Sequence, residues 1–181
     1  MPSHRGGHPK EDGPYERDNY KAERPISLSS WPTLDPLHHP TEDSTRSQED
    51  VASIDLENLN TANAPAGYFA SFHAYPYYPD FISEDPDYQE YSDATGPNSY
   101  LGYLADLKQH YVNHPLLIGE FGVPSSWGNA HFAHSGMDQG GMDEIQQGEY
   151  NVRMMENIYD SGLGGGMLFS WIDEWFKQAW I

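Results

Sequence analysis

Residues 116–128 read LLIGEFGVPSSWG, an apolar run that ends on the carboxylate of Glu120, with Gly119 before it and Gly122 shortly after. An unpaired buried carboxylate is costly, so a glutamate closing such a run either turns into a cleft or occupies an arranged polar site. The glycines permit close approach of backbone or ligand, and Gly122 can take a positive φ. Two other apolar runs end on groups with chemistry: AGYFASFHAYPYYPDF carries His73 and Tyr75, and GGGMLFSWIDEWF carries Trp171, Asp173 and Glu174. A carboxylate beside aromatic rings suits sugar chemistry. The carboxylate serves as nucleophile or acid/base at an anomeric carbon, while flat rings match the C–H faces of a pyranose. Asp173 and Glu174 are candidates for binding hydroxyls, and Trp127, in the loop after Glu120, for a second platform. Each residue also has a plainer reading. Glu120 then marks a sheet edge, Trp171 caps a core, Tyr75 packs beside YPYYP, His73 is a neutral hydrogen-bonding imidazole, Trp127 pins its loop, and the two acids are solvated.

The elements that must position these groups follow from pattern. Met1 to about Arg24 is polar, holds three glycines and three prolines, and lacks a periodic apolar face, so residues 1–25 read as a flexible leader or loop remnant. Order begins near Ile26, with a short strand to Trp31, and Ser47 is a candidate cap for a weak helix from Asp50 to Leu59. Tyr68 to Tyr75 is a β-rich aromatic run that Pro76 and Pro79 end. Ser99 is a candidate N-cap for YLGYLADLKQHYV, whose Tyr100, Leu104, Leu107 and Tyr111 share one face. Pro115 prevents that helix from continuing, and Leu116 to Gly119 forms a buried strand. A second helix is expected from Asp143 to Tyr159 with Ile145, Val152, Met155 and Tyr159 inward, then a strand from Met167 to Trp171. Strand, helix, strand, helix, strand is the order of an α/β fold with a helix-covered parallel sheet. Ligands of such sheets bind beyond the carboxyl ends of the strands, which is where the candidate groups lie.

Bulk properties narrow the partners. The chain has 181 residues, 37% of them hydrophobic, enough for one domain or a large piece of a bigger one but not for two comfortable domains. Its net charge is -19, and after Arg24 only four basic residues face 23 acidic ones, so nucleic acid and polyanionic glycans are not expected as partners. There is no cysteine, no apolar run long enough to span a membrane, and no signal-peptide pattern at the start, which leaves localisation open. Asp35, His38 and His39 form a D-x-x-H-H run, yet no second motif completes a metal site, so a turn or cleft-rim role is the reading adopted. No metal or cofactor is expected. The glycines 162 and 164–166 precede a strand and lack a following Lys-Ser/Thr, and no G-x-S-x-G elbow occurs, so neither a phosphate loop nor a serine triad is indicated.

HPLLIGEFG, FHAYPYYPDF and GGMLFSWIDEW resemble the seventh, sixth and eighth strand ends of the retaining glycoside hydrolases built on a (β/α)8 TIM barrel, the clan with cellulase-like and β-galactosidase-like families. The resemblance covers roughly Ile26 to Trp175 and implies a domain of (β/α) units over residues 26–181, about the second half of a barrel. It implies Glu120 as catalytic nucleophile, His73 and Tyr75 as the His-x-Tyr pair whose tyrosine donates to the nucleophile, and Trp171 as the floor of the sugar subsite. The activity implied is hydrolysis of a β-linked glycan or glycoside with retention. The clan's acid/base glutamate follows an asparagine, and no Asn-Glu pair occurs in this chain. A full barrel also takes about 250 residues. The chain by itself is therefore expected to be inactive and to associate with itself or with the rest of a barrel. The alternative is a non-catalytic carbohydrate-binding or inactive barrel relative.

Overall fold

Four short parallel strands carry the fold, and a computed structural model describes residues 9–42, 53–60, 62 and 64–174. Helix α1 (Pro9–Tyr20) leads into strand β1 (Ser29–Ser30); strand β2 (Ala70–His73) is followed by short helices α2 (Phe81–Glu84) and α3 (Pro86–Gln89). A small hairpin, β3 (Ser92–Asp93) and β4 (Gly96–Pro97), precedes helix α4 (Ser99–His110) and strand β5 (Leu116–Phe121). A second hairpin, β6 (Ser126–Asn129) and β7 (Gly140–Met142), leads to helix α5 (Glu144–Asp160) and strand β8 (Gly166–Leu168). The sheet order is β1-β2-β5-β8, all parallel, so spatial order equals chain order with no reversal. No helix among the described residues is long and apolar enough to cross a membrane.

The sheet's two faces differ. Ala70, Phe72, Leu116 and Ile118 are buried in one core with Tyr100, Tyr103, Leu104, Leu107 and Tyr111 of α4 and its end, and with Met154 and Ile158 of α5. This is the hydrophobic stripe expected for α4, and burying each large side chain contributes about 1.5–3 kcal/mol. The opposite face carries small groups: Ser29 Oγ lies 3.1 Å from Ser71 Oγ. A Cβ on Gly119 would come within 2.8 Å of Ser71 Oγ and 2.9 Å of Ser29 Oγ, so a larger residue there would have to turn these serine hydroxyls aside. Met167, which alternation assigns to that side, is 60% exposed.

Several elements differ from the sequence reading. The polar leader contains α1, although its described apolar side chains, Tyr15 and Tyr20, are exposed. Local bonds hold this helix, among them Asn19 Nδ2 donating to the Tyr15 carbonyl at 2.9 Å and an Arg24–Glu16 ion pair. Ser47 and residues 43–52 lie outside the described residues; of the helix expected up to Leu59, a single 3-10 turn at Leu56–Asn58 is seen, capped by Asp55. The cap of α4 is Asn98, whose side chain accepts from the Leu101 N–H at 3.2 Å, and Ser99 is the first helical residue. The largest correction concerns α5. Ile145, Val152, Met155 and Tyr159 point outward, from 41% to 80% exposed, while Arg153, Met154, Asn157 and Ile158 are buried. Polar anchors select the face: Arg153 forks onto Asp93 at 2.8 and 3.0 Å, and Asn98 Nδ2 donates to Asn157 Oδ1 at 2.7 Å.

Candidate functional site

Glu120 stands near the carboxyl end of β5, where a register shift between Phe72 and His73 aligns His73 with it across the strand pair. Tyr75 follows two residues later. Its hydroxyl donates to Glu120 Oε2 at 2.8 Å, a charge-assisted bond of the strong kind. His73 Nδ1 is buried and lies 3.4 Å from the same oxygen, close enough to feel its charge yet without a hydrogen bond. Gly122 has φ +147 and a Cβ there would lie 2.7 Å from the Phe169 carbonyl, so the chain leaving Glu120 passes tightly against the end of β8. The following loop is tied to α5, with Gln147 Nε2 donating to the Val123 carbonyl at 2.8 Å and the Val123 N–H donating to Asn151 Oδ1 at 3.2 Å.

Burial first, and then the hydrogen bond and charge of Glu120, push the Tyr75 phenol far above the ordinary tyrosine range. Tyr77 is raised by burial and by the same carboxylate. Both phenols therefore stay protonated, and Tyr75 is a permanent donor to Glu120.

The carboxylate opens into a cavity of about 510 Å³, the size class of a small-ligand site. Trp31, Tyr75, Tyr77, Tyr78 and Phe169 supply its aromatic wall, and Asp173 and Glu174 line it together with Gln139 and Gln147. Trp31 sits edge-on to His73 at 5.3 Å and stacks at 6.5 Å from Tyr75 with 28° between the planes. It remains 41% exposed, so a ring face is open to a ligand. A buried polar cluster anchors its loop. Tyr103 donates to Asp35 Oδ2 at 2.9 Å, the Leu37 N–H donates to Asp35 Oδ1 at 2.8 Å, and His39 Nε2 lies 3.1 Å from both carboxylate oxygens. A carboxylate only accepts, so His39 Nε2 carries the proton. His39 also stacks on Phe81 at 3.6 Å. The D-x-x-H-H run is thus a turn anchor, and among the described residues no group of three or more potential ligands is arranged to hold a metal.

The expected site residues fall in three places. Glu120, Tyr75 and His73 converge, and Asp173 and Glu174 line the same cavity. Trp171 is 95% exposed and is not part of the cavity lining, where Phe169 stands instead. Trp127 is fully exposed and lines a neighbouring cavity of about 550 Å³. Trp31 was missed, although it closes the SLSSW run as Glu120 closes LLIG, and that position at a strand end was its readable signal. No family model, no curated protein and no solved structure matches this chain.

Proposed function

We propose that the Glu120 cavity binds and cleaves a β-linked glycoside, with Glu120 as the nucleophile of a retaining hydrolysis and the chain forming about half of a (β/α)8 barrel. The observation that carries this reading is the 2.8 Å bond from the Tyr75 hydroxyl to Glu120, made at the mouth of an aromatic-walled cavity. A fixed donor holds the carboxylate aimed, as an attack on an anomeric carbon requires. Exposed ring faces and paired acids suit the two kinds of surface a sugar offers. The barrel reading draws support from a strand order without reversal, and from the exposure of Met167 on the sheet face away from α4 and α5, because parallel sheets are otherwise covered on both sides.

Retaining hydrolysis needs a second carboxylate about 5–5.5 Å from the first. The chain has no Asn-Glu pair, so the test must not depend on acid catalysis. A 2-deoxy-2-fluoro glycoside with a dinitrophenolate leaving group meets that need. The Glu120 carboxylate attacks the anomeric carbon, the C–O bond to the phenolate breaks without a proton, and a glycosyl ester remains. Mass spectrometry should place that ester on the peptide holding Glu120 when gluco, manno and galacto reagents are tried, and Glu120→Gln should abolish it. No label from any of the three, or a label that survives Glu120→Gln, overturns the assignment. A non-catalytic carbohydrate-binding role is the second reading, favoured by the absent Asn-Glu pair, and it is marked by saturable sugar binding without label.

A further inference from the structure

An indole with its whole surface in water is unusual, since large aromatic rings normally bury most of their area. Trp127 is such a ring, and it is not on a loose loop. It belongs to β6, which pairs with β7 through Ser126↔Met142 and Asn129↔Gly140. Gly140 has φ +105, and any Cβ there would run into the Gly128 carbonyl, so the two backbones meet closely just beside the indole. Asp138 ties the hairpin loop, accepting from Asn129 Nδ2 at 2.8 Å and from the Ala133 N–H at 2.7 Å. The backbone that carries the ring is thus tied into a hairpin, with the ring itself open to solvent.

The cavity beside Trp127 and the cavity of Glu120 lie side by side, with Ser125 in the lining of both. Each alone has the volume of a small-molecule site. The Trp127 cavity is bordered by Asp143, Glu144 and Gln146, groups that take hydroxyl hydrogens. Among the described residues neither cavity has a lysine or arginine in its lining, and both carry carboxylates. An anionic chain would have to bring its charges beside these acids without a cation to pair them, whereas an uncharged polyol pays no such penalty.

We infer that the two cavities form one cleft for an uncharged glycan several sugar units long, with Trp127 stacking on a unit remote from Glu120. This rests on the glycoside reading of Glu120 and adds the length and charge of the ligand. The test is calorimetric titration of the purified protein with methyl β-glycosides, with neutral β-1,4-linked glucan and mannan hexasaccharides, and with a hexameric oligogalacturonate. A neutral hexasaccharide should bind about tenfold more tightly than its methyl glycoside, equivalent to about 1.4 kcal/mol. Trp127→Ala should erase that length advantage and Trp127→Tyr should keep most of it, with the oligogalacturonate binding most weakly of all. Because the side chain is fully exposed, circular dichroism of the variants should match that of the unsubstituted protein. Equal affinity for long and short ligands, an advantage that survives Trp127→Ala, or preference for the oligogalacturonate would each overturn the inference while leaving the Glu120 reading standing. Absence of binding to every glycan, long or short, overturns both.

Discussion

A phenol that donates to a carboxylate at 2.8 Å, and whose own ionisation is pushed well out of range by burial and by that carboxylate's charge, is a donor at every ordinary pH. Tyr75→Phe keeps the ring and removes the bond. Hydrogen bonds to charged groups are worth about 1.5–3 kcal/mol, so labelling of Glu120 by the activated fluoro-glycoside should slow by about tenfold to a hundredfold. The rate in the unsubstituted protein should show no fall from Tyr75 ionisation up to about pH 10, the ordinary tyrosine value. A Tyr75→Phe variant that labels at the original rate would separate the bond from the chemistry. His73 approaches the same oxygen without a hydrogen bond, which leaves Tyr75 as the group that orients Glu120.

At the scale of elements, α5 is set by charge as much as by packing. Asp93 ends β3, where burial would raise it, yet Arg153, Asn157, Asn98 and the Thr95 N–H all donate to it and hold its carboxyl well below the usual carboxylate range. A depressed value in the folded state means that this stabilisation is complete above about pH 4, where the unfolded aspartate is ionised. It is lost as pH falls through the folded value. Urea midpoints measured from about pH 7 to about pH 2 should therefore drop with acid, and Asp93→Asn should be less stable at neutral pH with a flatter acid dependence. Removing the partner is harsher. Arg153→Met should cost about 3–5 kcal/mol, because it leaves Asp93 charged and largely buried without its cation. A neutral effect of Arg153→Met would mean that Met154 and Ile158 alone orient the helix.

For the whole molecule, the proposed half-barrel has a physical consequence. Among the described residues β1 and β8 are each paired on one side only, and Met167 and Leu168 on β8 are exposed. The outward stripe of α5, from Ile145 to Tyr159, adds further apolar surface. Open parallel edges and bare apolar patches favour pairing with another chain. Sedimentation should show concentration-dependent self-association, or else denaturant unfolding should reveal a stability below the usual 5–15 kcal/mol. A monomer with one cooperative transition and ordinary stability contradicts the half-barrel.

Pattern alone was enough for the alternation of strands and helices and the core face of α4, whereas the meeting of Tyr75 with Glu120 was implied by the resemblance to glycosidase strand ends. For α4 one arrangement satisfied both periodicity and burial, because it has a single continuous apolar stripe. Tertiary structure decided the remainder. Helix α5 has apolar residues on opposite sides, and only the distant contacts of Arg153 with Asp93 and of Asn157 with Asn98 choose between them. Beyond a strand end, side-chain direction depends on the path of the backbone against its neighbours. The cavity is therefore walled by Trp31 and Phe169 while Trp171 stands in water. Local spacing determines which residues share a face, whereas long-range packing determines what that face meets.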